Sequence, residues 1–337
     1  MKILNKCCMN RRKFISNASV ALTMAGAFSG DLLAAVNPQT SPKRIGIIGL
    51  DTSHSIAFTK ALNGESPKPE FANFRIVAAY PYGSKTIESS ATRIPGYIDE
   101  VKKLGVKIVD SIEALLETVD YVLLETNDGT LHLEQALPVI KAKKPVFIDK
   151  PIAASLKDVQ AIYETAHKAG VPIFSASSLR YMDTVQQAIH GKVGKVLGAD
   201  TYSPATLEPH HPDFFWYGIH GIEMLIALMG TGCKQVSRVH TDGTDVVVGV
   251  WNDGRIGTFR GTRTGKHTYG GTVYGENGDL TLGPYDGYDA LLVQIIQFFI
   301  SGKSPIDERE TMEIYAFMEA ADQSKQANGK VIQLAHL

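Results

Sequence analysis

The chain has 337 residues, 44% of them hydrophobic and 20% charged, enough for large buried cores and unlike a disordered polymer. Its formal charge of -1 and the lack of any basic run exclude the electrostatic footprint of a nucleic-acid binder. A small molecule is the expected partner.

Residues 1–35 stand apart from the rest. Asn10-Arg11-Arg12-Lys13-Phe14-Ile15 precedes a mildly apolar run rich in Ala, Ser and Gly that ends in small residues at Ala34-Ala35. This resembles a twin-arginine signal peptide, which implies export to the periplasm of a chain already folded around any cofactor. Gly26, Ser29, Gly30 and Asp31 interrupt the run well short of a bilayer-spanning length, so no stable membrane insertion is expected once it is removed. Cys7 and Cys8 leave with it, and Cys233 alone cannot form an intrachain disulfide.

From Lys43 onward apolar runs alternate with amphipathic stretches. "RIGIIGL" is predicted as a buried strand, Ile56 to Leu62 as a helix, and "FRIVAAY" and "VKIVD" as strands. "SIEALLETV" follows as a helix, "DYVLLET" as a strand, "HLEQALPVIKAK" as a helix and "PVFID" as a strand. Continuous apolar strands separated by helices predict a doubly wound α/β domain of Rossmann type, with a parallel sheet covered on both faces, over residues 43–152.

Residues 153–337 change character. "SLKDVQAIYETAHKAG" reads as a helix, "VPIFSAS" as a strand and "TVQQAIHGKVGKV" as a helix. From Lys234, alternating strands such as "TDVVVGVW" and "IGTFRGTR" are joined by Asn-Asp-Gly or Asn-Gly turns, and "DALLVQIIQFFISG" and "ERETMEIYAFMEAADQSKQA" close the chain as helices. The prediction is an α+β domain with an open, mostly antiparallel sheet. Such sheets often pair between subunits, which makes a homo-oligomer a candidate.

A parallel sheet places its ligand at the C-terminal ends of its strands, near the first turn. A dinucleotide fingerprint there needs three glycines, for the tight turn, for close approach to the pyrophosphate and for helix packing. Gly49 supplies the first, but Asp51 and His54 hold the other two positions. Asp51 would repel the pyrophosphate unless it turns away, whereas Thr52, Ser53 and Ser55 supply hydroxyls at a helix N-terminus that favours an anion. The second strand ends in "YPYGSK" without the usual ribose-binding acid. Ser84 and Lys85 could instead accept a 2'-phosphate, so NAD and NADP both stay open.

Further on, "KPVFIDKPIA" places Asp149-Lys150-Pro151 directly after a buried strand, with "LLETNDGTLHLEQAL" one unit earlier and "WYGIHGIEMLIALMG" downstream. Together with "IQFFISGKSPIDERETMEIYAFMEAADQSK" this order resembles the Gfo/Idh/MocA family of NAD(P)-dependent oxidoreductases, many of which act on sugars and cyclitols. The resemblance implies a lysine at Lys150, in a Glu-Lys-Pro motif that reads Asp149-Lys150-Pro151 here, close to the substrate hydroxyl and nicotinamide. It also implies a catalytic histidine at His220, in Gly218-Ile219-His220. Thr126, Asn127 and His132 match positions at the cofactor.

The residues agree in part with that resemblance. Hydride removal from an alcohol leaves a hydroxyl proton to be taken up, and a lysine or a histidine suits that role. Ile219, Ile222, Ile226 and Met229 form a helical core stripe that leaves His220 and Glu223 on an adjoining face. Many family members have an aspartate where this chain has Trp216, so either Glu223 tunes His220 or the substrate is held differently. Trp216, Tyr217, Phe214 and Phe215 suit stacking on a sugar or packing in a core, and Arg180 and Tyr181 are candidates to line the substrate cleft. His210, His211, His220 and Glu223 do not match a recognised ligand spacing, so no metal is expected.

Three readings follow. The first is an NAD(P)-dependent oxidoreductase with a tightly bound cofactor, acting on a sugar, glycoside or cyclitol hydroxyl. The second is glycoside cleavage through a transient keto-sugar with recycled NAD, helped by Glu223 or His210. The third is a non-catalytic sugar-binding protein on a decayed cofactor site.

Overall fold

The protein is described by a computed structural model covering residues 41–334 apart from Ala72 and His267. The expected signal at 1–35, with Cys7 and Cys8, lies outside the described residues. The elements of the first half are β1 Lys43–Ile48, α1 Ser53–Asn63, β2 Phe74–Tyr80, α2 Glu88–Ala91, α3 Ile94–Lys103, β3 Lys107–Ile108, α4 Ile112–Leu116, β4 Tyr121–Leu124, α5 His132–Lys141, β5 Val146–Ile148, α6 Leu156–Ala169, β6 Ile173–Phe174 and α7 Asp183–Ile189. Those of the second half are β7 Val196–Pro204, α8 Asp213–Trp216, α9 Ile219–Met229, β8 Cys233–His240, β9 Thr244–Trp251, β10 Ile256–Thr262, β11 Gly270–Gly275, β12 Gly278–Leu282, α10 Asp289–Ser301, α11 Glu308–Gln326 and β13 Ile332–Gln333.

The apolar runs of the first half pair in parallel, in the order β3-β2-β1-β4-β5-β6. Isoleucines of β1, the leucines of β4 and the whole of β5 are buried, as expected for strands covered on both faces. Chain order reverses between β1 and β4, and a crevice opens there at the strands' C-terminal ends. β6 pairs with β5 and extends the parallel sheet to Phe174, past residue 152. The sheet also draws on the far end of the chain. Leu291, Leu292, Ile295 and Phe298 of α10 share one core with Ile45, Ile47, Phe147 and Phe174, since the face toward α1 needs that much apolar cover.

The second sheet runs β12-β11-β7-β10-β9-β8-β13. All its pairs are antiparallel except β7 with β10, which run parallel. β7 was not among the predicted strands, because its inward side chains are Ala199, Thr201 and Ser203 rather than large apolar ones. Their small size is what lets α9 lie directly on the strand. A Cβ on Gly221 would collide with the Phe259 ring, and Thr201 Oγ1 donates to the Gly221 carbonyl at 3.0 Å. α9 is buried along nearly its whole length, so its first turn is held rigidly over the crevice. Among the described residues no helix is long and apolar enough to cross a membrane.

Candidate active site

The first loop is built around Gly49, whose φ of 88° belongs to the left-handed region, and whose Cβ, if it had one, would collide with Thr126. The loop leads to Thr52, which caps α1 without a side-chain hydrogen bond, and Thr52, Ser53 and His54 line the adjoining cleft. First-turn amides there favour an anion. Asp51 is fully buried and lines neither of the two clefts described below. Its carboxylate accepts the backbone N–H of Asn127 at 3.0 Å and of Ser84 at 3.3 Å, and burial pushes its pKa up to about 6.

The main cleft, of about 360 Å³, lies between the C-terminal ends of β1, β4 and β5 and the first turn of α9. Lys150 and His220 both line it and both are more than nine-tenths buried. Lys150 Nζ lies 4.0 Å from Asp149 Oδ2. His220 Nδ1 lies 2.7 Å from Ser177 Oγ, which leaves Nε2 for the cleft. Burial, with Lys150 and His54 nearby, lowers the pKa of His220 well below its ordinary value, so the ring is neutral near pH 7.

Three of the expected substrate residues lie off the wall of this cleft. Glu223 is buried beneath His220, accepts Arg180 Nε at 2.9 Å and the Ser177 N–H at 2.9 Å, and so reaches His220 only through Ser177. Arg180 is held between Glu223 and Glu310, the latter at 2.5 Å, and does not line the cleft. Tyr181 is buried beside it and is also absent from the cleft wall. A buried guanidinium needs carboxylate partners, and both are on the core side.

The aromatic cluster divides. Trp216 and Tyr217 line the cleft, while Phe214 and Phe215 are core. The opposite rim carries Tyr269, Tyr285 and Tyr288, which the sequence reading did not single out. Their rings form a continuous wall from His220 to His54, with centroids 5.9 Å (His220–Tyr269), 5.7 Å (Tyr269–Tyr285), 6.0 Å (Tyr285–Tyr288) and 4.5 Å (Tyr288–His54) apart.

A second cleft, of about 720 Å³, opens beyond β2 and β3. Ser84 and Lys85 line it, but the Ser84 hydroxyl donates to Asp128 Oδ2 at 2.8 Å and is committed inside the protein. Asp110, Glu113, Asp128 and Glu134 line the same cleft. His132, expected at the cofactor, lies in neither cleft. It is fully buried with Nε2 at 2.6 Å from the Thr126 carbonyl and Nδ1 at 2.8 Å from that of Pro151, so it ties the β4–α5 loop to the segment after Lys150. Burial lowers its pKa, and a neutral ring donates to one of those carbonyls at a time.

At the floor of the main cleft His54, Glu125 and Asp149 meet. His54 Nδ1 lies 3.1 Å from Asp149 Oδ1 and 3.6 Å from Glu125 Oε2. Burial alone would lower the pKa of His54, but the two carboxylates outweigh it and raise the pKa, while burial raises that of Glu125. Glu125 escaped the sequence reading, although an acid ending a buried strand at the ligand-bearing edge is a legible signal. The histidines weighed for a metal do not assemble with Glu223, since it is taken by Arg180 and Ser177, and His210 is exposed against Glu208 at 2.9 Å.

Comparison with known proteins gives a family match over part of the chain and a likeness of fold. Residues 43–177 match the model of the oxidoreductase family GFO_IDH_MocA, NAD-binding Rossmann fold. The chain is 33% identical to the 1,5-anhydro-D-fructose reductase of Ensifer adhaerens over 130 residues, which is 37% of this chain and 38% of that protein. It is 31% identical to the myo-inositol 2-dehydrogenase of Thermotoga maritima over 160 residues, 43% of this chain and 47% of that protein. The matches thus span under two thirds of these relatives' length. In fold, the chain resembles scyllo-inositol dehydrogenase from Lactobacillus casei, solved with NAD(H) and scyllo-inositol, with a TM-score of 0.72 at 16% identity over 88% of this chain and 100% of that one.

Proposed function

From the match of residues 43–177 to the NAD-binding Rossmann fold of the Gfo/Idh/MocA oxidoreductases, we propose that this protein is an NAD-dependent oxidoreductase acting on a CH–OH group of a carbohydrate or cyclitol. The observation that carries this reading is the meeting of Lys150 and His220, far apart in sequence, in one cleft with the uncapped N-terminus of α1.

The residues present fit a nicotinamide dinucleotide. The first-turn amides of α1 offer an anion site, and Thr126 Oγ1 is buried beside Gly49 without a hydrogen-bond partner among the described residues. Asn127 and Lys150 line the nicotinamide side, and the second cleft suits the adenosine end, with the half-exposed Tyr82 as a stacking surface. Asp51 does not oppose the phosphates, because its carboxylate is turned into the amides of Ser84 and Asn127. The carboxylates of Asp110, Glu113, Asp128 and Glu134 against Lys85 alone favour NAD over a 2'-phosphorylated cofactor. Ser84 donates to Asp128 at 2.8 Å within the wall of the second cleft, and Asn127 Nδ2, on the wall of the main cleft, donates to the buried Ser90 Oγ at 3.1 Å, so both walls are held in place around a bound cofactor.

When bound, the nicotinamide supplies hydride exchange with the reacting carbon. His220, neutral and with Nδ1–H donated to Ser177, takes the hydroxyl proton at Nε2. Lys150 donates a hydrogen bond to the same oxygen and holds it in place. The tyrosine wall and Trp216 exclude water and pack on the C–H faces of a ring whose hydroxyls reach the polar tips. The reactions named for the relatives, on an anhydro-sugar and on myo-inositol, support that substrate class.

The test is to denature the purified protein, identify released nucleotide by mass spectrometry, and assay turnover of polyols. About one NAD per chain is expected, with Lys150→Ala lowering turnover by about 10²- to 10⁴-fold while nucleotide stays bound. A protein that is empty and binds neither dinucleotide overturns the reading. Free sugar released from a glycoside without net nucleotide reduction would replace simple dehydrogenation by redox-neutral cleavage.

A further inference from the structure

His54, Glu125 and Asp149 come from three separate elements, the first turn of α1 and the residues just after β4 and β5. Glu125 and Asp149 are completely buried and His54 nearly so. One nitrogen of His54 and one oxygen from each carboxylate lie within 4.8 Å of one another. Among the described residues His54 Nδ1, both oxygens of Glu125 and both of Asp149 have no hydrogen-bond partner. Buried carboxylates are ordinarily paired and hydrogen-bonded, because desolvating them otherwise is costly. The nearest side-chain nitrogens are His54 Nδ1, 3.1 Å from Asp149 and 3.6 Å from Glu125, and Lys150 Nζ, 4.0 Å from Asp149, and none of these contacts is a hydrogen bond.

We propose that His54 Nδ1, Glu125 and Asp149 form a binding site for one divalent transition-metal ion at the floor of the main cleft. Ligand atoms about 2.0–2.2 Å from a common ion lie about 3.0–3.6 Å apart around it. The separations of His54 Nδ1 from Asp149 Oδ1, 3.1 Å, and from Glu125 Oε2, 3.6 Å, fall in that range. The 3.1 Å pair lies within ion-pair distance yet its geometry makes no hydrogen bond, which leaves both atoms available to an ion. One imidazole with two carboxylates suits Zn²⁺ or Mn²⁺; Ca²⁺ and Mg²⁺ prefer all-oxygen shells, and no sulfur is present for a softer ion. His54 and Asp149 line the cleft, so a remaining coordination position would face a substrate oxygen. His54 occupies the position where the dinucleotide fingerprint has its third glycine, and the ligand set belongs to the protein alone, so the inference does not rest on the hydride-transfer reading.

The test uses the full untagged chain, stripped with chelator and titrated with ZnCl₂, MnCl₂ or CoCl₂. Calorimetry and elemental analysis should give about one ion per chain, and Tm should rise by about 5 °C at a hundredfold excess over Kd. Co²⁺ should give visible d–d absorption that reports a nitrogen and oxygen ligand set. Both signals should vanish in Glu125→Gln and in His54→Ala, with far-UV circular dichroism showing that the variants fold; Asp149→Asn is the replacement if either fails to fold. No Tm rise and no stoichiometric binding of any of the three ions would overturn the proposal. Unchanged binding in the folded variants would overturn it as well, because the ion would then sit elsewhere.

Discussion

Ser177 Oγ sits 2.7 Å from Nδ1 of His220, and the amide of the same serine is anchored to Glu223 at 2.9 Å. The histidine is therefore oriented from below through one residue. Ser177→Ala should lower kcat about tenfold with little change in KM, the cost of one hydrogen bond that fixes ring orientation. The acidic limb of the kcat/KM profile should move as well, because the ring loses the partner that selects its tautomer. Equal kcat and an unmoved profile would show that Ser177 is only a cap for the turn it begins.

Arg180 and Glu223 should behave as a stability pair. Arg180→Met leaves Glu223 and Glu310 facing each other without their shared cation, which should cost about 3–5 kcal/mol in urea unfolding. Glu223→Gln, which keeps an acceptor for Ser177 N–H, should cost less. Substrate KM measured on folded Arg180→Met protein should stay near wild type; a large rise would return Arg180 to the cleft.

Asp51 gives a pH prediction with a definite sign. Its pKa is about 6 in the folded protein against 3.8 ordinarily, so the native state holds a proton that the unfolded chain has released. Stability from this group is full below pH 4 and is lost as pH rises through 6, by about 3 kcal/mol at most. Comparing unfolding free energies of wild type and Asp51→Asn from pH 4 to 7 should show wild type losing stability relative to the variant. Parallel curves would mean that the carboxyl is not held in its protonated form.

Cofactor choice can be read from the second cleft. NADH quenching titrations should give tighter binding for NAD(H) than for NADP(H) by at least about tenfold, because a 2'-phosphate would meet Asp110, Glu113 and Glu134. Glu113→Lys should narrow that gap. Equal affinities in the wild type would mean that the adenosine end does not use this cleft.

Ser90 offers a kinetic test of retention. Its buried hydroxyl accepts Asn127 Nδ2 at 3.1 Å, and Asn127 lines the main cleft. Ser90→Ala should speed nucleotide release several-fold in a chase with excess unlabelled cofactor, with catalysis on bound cofactor unchanged. An unaltered release rate would leave that bond without a role in retention.

The order of the first six strands was legible because a buried parallel strand announces itself in four or five neighbouring apolar residues, as in "RIGII" and "YVLL". β7 was not, since its inner face is small and polar to admit α9. Lys150 and His220 could be singled out by motif, and Glu125 by its place at the end of a buried strand, yet the three tyrosines of the wall carry no local pattern that separates them from ordinary loop residues.

What the sequence by itself determined was the succession of strands and helices, and hence which loops reach the C-terminal edge of the parallel sheet, because burial periodicity is a property of adjacent residues. Only the tertiary structure decided where the polar groups on those loops point. Arg180 is drawn to Glu223 and Glu310, His132 to the carbonyls of Thr126 and Pro151, and Asp51 to the amides of Ser84 and Asn127. A polar group taken out of water goes to its nearest partner, and the fold alone brings those partners together from distant parts of the chain.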